Sequence, residues 1–144
     1  MNGKPLGREW LDFAEMDLNA AEYLLDMRPL PVEIICYHCE QAAEKLLKGA
    51  LVHFNVDPPR THDLIQLCKL CSDMDARFEA LADACVDLTP YGVQVRYPSD
   101  LELDESDTHS ALRQCRAIYE FIQPLFVPSQ NMETEPSQSF EQSM

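Results

Sequence analysis

The chain has 144 residues, enough for one ordinary domain with a single core and too few for a second. Apolar residues make up 46% and charged residues 25%, the balance of a protein that folds in water, which excludes wholesale disorder and a membrane-embedded body. Eleven Lys and Arg against 25 Asp and Glu give a formal net charge of -14, so long-range repulsion argues against a free-standing nucleic-acid binder; contact with RNA or nucleotide would need a local basic patch or a more basic partner.

The N-terminal stretch MNGKPLGREWLDFAEMD is interrupted by charges and has no apolar run of signal or membrane-span length, so the expectation is a cytoplasmic protein without membrane contact. Apolar spacing is helical nearly everywhere. A first helix is expected from about Arg8 to Met27, with Trp10, Phe13, Ala14, Leu18, Ala21, Leu24 and Leu25 on its inner face, until Pro29 and Pro31 break it. A second and longest helix starts at Pro31 and runs to about Phe54, before Asp57, Pro58 and Pro59. Thr61 reads as the N-cap of a third, with Asp63 favouring the positive end of its dipole and Leu64, Leu67, Cys68 and Cys71 as its apolar stripe.

A fourth helix is expected from about Ala76 to Leu88, with Phe78, Leu81, Ala82, Cys85 and Leu88 on one face. Residues 91 to 105 read as a loop, and a last helix begins near Ser106, carrying Leu112, Cys115, Tyr119, Ile122 and Phe126 until Pro124 weakens it. The pattern is all-α, an antiparallel up-down bundle of four to five helices spanning residues 1–127, followed by a disordered polar tail over 128–144.

The second helix carries the candidate chemistry. His38, Gln41, Lys45 and Lys48 form a polar stripe beside the core stripe of Ile35, Cys39, Ala42, Leu46 and Gly49, and offer donors and a titratable ring to an anion or nucleotide; a solvated face is the plain alternative. Asp17 falls within the apolar face of the first helix, where a carboxylate needs a cation such as Lys45, Arg60 or Arg96. Arg60, Thr61, His62 and Asp63 combine a cation, a helix start and a histidine, which suits a phosphate or simply a capped helix. Cys36-x-x-Cys39 and Cys68-x-x-Cys71 have the outline of a zinc site, but both pairs sit inside helical stripes, so the six cysteines read as free thiols and no metal or cofactor is expected. The acidic residues from Asp100 to Asp107 lack the glycine and ligand spacing of a calcium loop.

Cys36-Tyr37-His38-Cys39-Glu40-Gln41-Ala42-Ala43-Glu44-Lys45-Leu46-Leu47-Lys48, then Pro59-Arg60-Thr61-His62-Asp63-Leu64 and Arg96-Tyr97-Pro98, make a sequence that resembles the HEPN domain family from about Arg8 to Phe126. The resemblance implies an α-helical bundle of the kind found beside minimal nucleotidyltransferases, with dimerisation and nucleotide binding. Its matched positions His38, Gln41, Lys45, Arg60, His62, Asp63, Arg96 and Tyr97 form a candidate binding surface, to which the stripe adds Lys48.

Many members of that family are metal-independent endoribonucleases with an Arg followed four to six residues later by His; no Arg here has a His at that distance, which points away from catalysis. The leading expectation is therefore a nucleotide- or RNA-binding module, without catalysis of its own, acting with a nucleotidyltransferase partner in a toxin-antitoxin-like pair. A divergent ribonuclease using His38 or His62 as base with Arg60 or Arg96 at the phosphate stands as one alternative. A structural homodimer is the other.

Overall fold

The computed structural model describes residues 5–92 and 102–127, and among them every regular element is helical. The architecture is the expected antiparallel bundle: α1 Gly7–Tyr23, α2 Val32–His53, α3 Leu64–Met74, α4 Ala82–Leu88 and α5 Glu105–Ile122. Short 3₁₀ turns extend α1 over Leu24–Asp26, precede α4 over Ala76–Leu81, follow it over Thr89–Gly92 and end the bundle over Gln123–Phe126. The expected fourth helix is thus a 3₁₀ segment leading into a two-turn α-helix, still stopped near Thr89. The expected tail over 128–144 lies outside the described residues.

Helix starts follow local capping chemistry. The Glu9 carboxylate accepts the Leu6 N–H at 2.8 Å, and at α5 the Asp104 carboxylate accepts from Ser106 while Asp107 accepts the Asp104 N–H at 2.9 Å. Asp104 and Asp107, two members of the acidic segment, are therefore committed to the start of α5.

The central position of α2 governs the rest. It packs most extensively against α1 and also contacts α3, α4 and α5, so nearly its whole circumference is covered. Ile35, Cys39, Ala42, Leu46 and Gly49 are buried as the spacing predicts, but so are Glu40, Glu44 and Lys48, at 2%, 5% and 7% exposure. The stripe expected to be separate from the core is, in part, inside it.

The inner face of α1 is Gly7, Leu11, Ala14, Leu18 and Ala21, spaced four, three, four and three. Trp10 and Phe13 do not belong to it: Trp10 is half-buried at its margin, and Phe13 is 52% exposed on the opposite face with Met16 and Tyr23. Two apolar rows of the same period run along this helix, and the row of smaller residues faces α2. The reason is the close approach of the two backbones. A Cβ on Gly49 would lie 3.0 Å from Trp10 Cβ and 3.3 Å from the Gly7 carbonyl, and one on Gly7 would lie 2.7 Å from Phe126 Cε1. Phe78, fully buried, anchors the 3₁₀ segment before α4 through edge-on contacts with Phe54 and Phe121.

Candidate functional site

Three buried or half-buried carboxylates organise the polar face between α1, α2 and the start of α3. Asp17 of α1 accepts from Lys45 Nζ at 2.5 Å and meets His38 Nδ1 at 2.9 Å, so of the three cations the sequence offers it, Lys45 is the partner. On α2 itself, Glu44 accepts from Lys48 Nζ at 3.0 Å, and its two oxygens lie 3.1 and 3.2 Å from His62 Nδ1. Between these clusters Glu40 accepts from Gln41 Nε2 at 2.9 Å.

The stripe expected to present donors therefore has its donors taken. Lys45, half-buried, and Lys48, buried, are each held by a carboxylate, and an ammonium withdrawn from water to the extent of Lys48 is tolerable only on those terms. Burial pushes the Glu40 carboxyl up to about 7, with the Gln41 hydrogen bond opposing and the neighbouring Glu44 carboxylate adding to the rise. Gly92 packs against this group, so closely that a Cβ there would sit 2.6 Å from Glu40 Oε2.

The helix-end site expected at Arg60 to Asp63 is also differently built. Asp63, not Thr61, is the N-cap of α3: its Oδ1 accepts the Ile65 and Gln66 N–H groups at 3.0 and 3.3 Å, while Thr61 Oγ1 accepts the Asp63 N–H. The amides that would cradle a phosphate are occupied by a carboxylate that would repel it.

What remains available is Arg60. It is exposed and enters no hydrogen bond or ion pair among the described residues. It lines an open cleft of about 820 Å³ with Leu6, Trp10, Lys48, Asn55, Asp57 and Pro59. Lys48 Nζ lies 5.7 Å from the Trp10 ring centroid, and the Trp10 indole N–H is buried with no hydrogen-bond partner among the described residues. Asn55, at φ 64, turns the chain from the end of α2 into the Pro58-Pro59 wall of this cleft.

The His62 ring stands at 85% exposure with Nδ1 against buried Glu44. When Nδ1 carries the proton, Nε2 is free to accept one from solvent or a ligand. Arg96 and Tyr97 lie outside the described residues. Sequence reasoning missed Glu40 and Glu44 as buried groups; their signal was the Glu40, Glu44, Lys48 row at four-residue spacing, which is identical for a solvated and a buried ladder. It also placed Trp10 in the core and not at a cleft.

Neither cysteine pair of the sequence motifs converges with the other. Cys39 pairs with Cys115, Cys68 with Cys85, and all six thiols are free and buried. Among the described residues no group of three His, Cys, Asp or Glu is placed to hold a metal ion, and no helix is long and apolar enough to cross a membrane.

The HEPN domain family model matches residues 8–125. The chain belongs to the HEPN domain family. The HEPN fold here is similar to the crystal structure of TT1696 from Thermus thermophilus, at 26% identity and a TM-score of 0.68, covering 83% of this chain and 98% of that one. It also matches the fold of ST0689, an archaeal HEPN homologue, at 20% identity and a TM-score of 0.65, with 84% and 98% covered. Comparison with curated proteins returns no match. In this HEPN domain the lysine motif of α2 is thus largely a structural ion-pair ladder, with exposed Arg60 and His62 and half-buried Trp10 beside buried Lys48 at one end.

Proposed function

We propose that this HEPN domain is a binding module that holds a nucleotide or RNA phosphate in the Trp10–Arg60 cleft and acts in the cytoplasm with a nucleotidyltransferase partner, in a toxin-antitoxin-like pair. The observation that carries the reading is Arg60, an exposed guanidinium without a carboxylate partner among the described residues, beside an indole on which a base can stack. Lys48, shared between Glu44 and the Trp10 ring, adds positive potential at the cleft floor. His38 and Lys45 orient α1 on α2 in this scheme through Asp17, Gln41 holds the Glu40 carboxyl, and Asp63 fixes the start of α3 and with it the position of Arg60 and His62.

Trp10 is the single tryptophan, so its fluorescence reports the cleft directly. Titration with ATP should give a saturable change in emission, weakened roughly tenfold in Arg60→Ala, the loss of one charge-assisted hydrogen bond of about 1.5 kcal/mol. Arg113→Ala, on the outer face of α5, should titrate as the wild type does. Emission unaltered at millimolar nucleotide, or equal affinity in Arg60→Ala, would sink the reading.

Two further readings have an observation each. The Glu44–His62 pair has the form of an oriented general base next to Arg60, which favours a divergent ribonuclease; labelled RNA left intact by the purified chain removes it. The outward residues Phe13, Met16 and Tyr23 on α1, with Met27 just after its 3₁₀ extension, supply an apolar surface for the homodimer, which sedimentation over a dilution series tests.

A further inference from the structure

Away from the cleft, α3 and α4 enclose a small groove of about 230 Å³. Half-exposed Ile65 and Val86 form its lips, and Cys68, Ser72, Ala82 and Cys85 line it below. The two thiols come from different helices, line the same groove and interact with each other, while Cys68 Sγ donates to the Phe78 carbonyl at 3.5 Å. The remaining charged groups on the groove are Lys69, paired with Asp73 at 3.3 Å, and Glu79.

We propose that Cys68 and Cys85 are an oxidation site, at which a small peroxide enters the α3–α4 groove and leaves a disulfide joining the two helices. The Cys68 thiolate attacks one peroxide oxygen, the O–O bond breaks, and hydroxide departs to become water, leaving a sulfenic acid. Cys85 sulfur then attacks Cys68 sulfur, giving up its thiol proton, and the sulfenic oxygen leaves as a second water. Two thiols are oxidised and one peroxide is reduced.

The bundle contains its own control. Cys39 and Cys115 are also interacting thiols on two packed helices, and both are as fully buried as Cys85, but neither lines one of the grooves described above, whereas Cys68 and Cys85 both do. Reactivity should follow access and thiolate character. The neighbouring Cys85 thiol holds Cys68 below its ordinary value, whereas burial pushes Cys36 and Cys71 up to about 12 and the Cys115 contact and burial push Cys39 higher still.

The test uses the full chain, treated with hydrogen peroxide, denatured, alkylated and mapped by mass spectrometry. The expected product has lost two hydrogens and yields a peptide joining Cys68 to Cys85, with Cys36, Cys39, Cys71 and Cys115 alkylated as in the untreated chain. Cys85→Ser should carry the reaction past sulfenic acid on Cys68, and Cys68→Ser should leave Cys85 unmodified at the same dose. Because the wild-type product needs no substitution to be read, misfolding of a variant leaves the test intact. Six alkylated thiols after treatment, or a Cys39–Cys115 link formed first, would overturn the proposal.

Discussion

Replacing Glu40 by Gln should stabilise the protein, and the gain should depend on pH. Glu40 is 2% exposed and has no cation within ion-pair distance among the described residues; its side-chain partner is the neutral Gln41 amide. Burial moves its carboxyl from an ordinary value of 4.5 to about 7. At about 1.4 kcal/mol per unit, ionising this group in the folded state costs about 3 kcal/mol more than ionising it in the unfolded chain. Since the folded pKa is the higher one, the folded state holds the proton where the unfolded state has lost it, and stability falls as pH rises from about 4.5 to about 7.

The Gln side chain keeps an acceptor for Gln41 Nε2 and carries no charge. Wild type and Glu40→Gln should therefore unfold alike near the lower end of that window and diverge above it, the variant ahead by about 3 kcal/mol at about pH 8. In urea unfolding followed by far-ultraviolet circular dichroism, that gap corresponds to a midpoint shift of roughly 2 M. The neighbouring Glu44, His62 and Asp17 are shared by both proteins, so their titration largely cancels in the difference. A gap that stays constant with pH, or a variant less stable at alkaline pH, would refute the reasoning.

Asp17→Ala leaves Lys45 and His38 facing each other without their carboxylate; because both are 28–29% exposed, the loss should be about 1–2 kcal/mol and not the 3–5 of a fully buried pair. A thermal midpoint lowered by roughly 5 °C is expected, and an unchanged one would mean that the pair contributes nothing. Gly49→Val pushes a branched side chain into Trp10 and the Gly7 carbonyl, costing about 2–3 kcal/mol and shifting Trp10 emission. A Gly49→Val variant as stable as wild type would show that α1 can move away freely.

The order and approximate bounds of the helices were legible because apolar spacing and paired prolines are local signals. What escaped was which of two equally periodic rows of α1 turns inward. That choice is made by the Gly7–Gly49 approach, a contact between residues far apart in sequence, and it admits Leu11, Ala14 and Leu18 while sending Phe13 outward. The site suffered from the same limit. A glutamate four residues before a lysine reads the same on a wet surface as in an interior, and only the covering of α2 by α1, α3, α4 and α5 turns Glu44 and Lys48 into a buried pair. Asp17 was legible because an acid among apolar neighbours is conspicuous. The cap of α3 was ambiguous because Thr61 and Asp63 both satisfy the chemistry, and Asp63 wins by accepting two amides.

The contact of Gly7 with Phe126 places the first helical residue of the bundle against its last turn. The polypeptide therefore enters and leaves at one spot, like a loop of string pinched at its neck. A host protein could carry residues 7–126 within one of its own surface loops with hardly any spacer and no distortion of either part. Conversely, a pull on the two ends would open the Gly7–Phe126–Gly49 junction before it loaded any helix along its length, so the mechanical weak point of the fold is also the place where it closes.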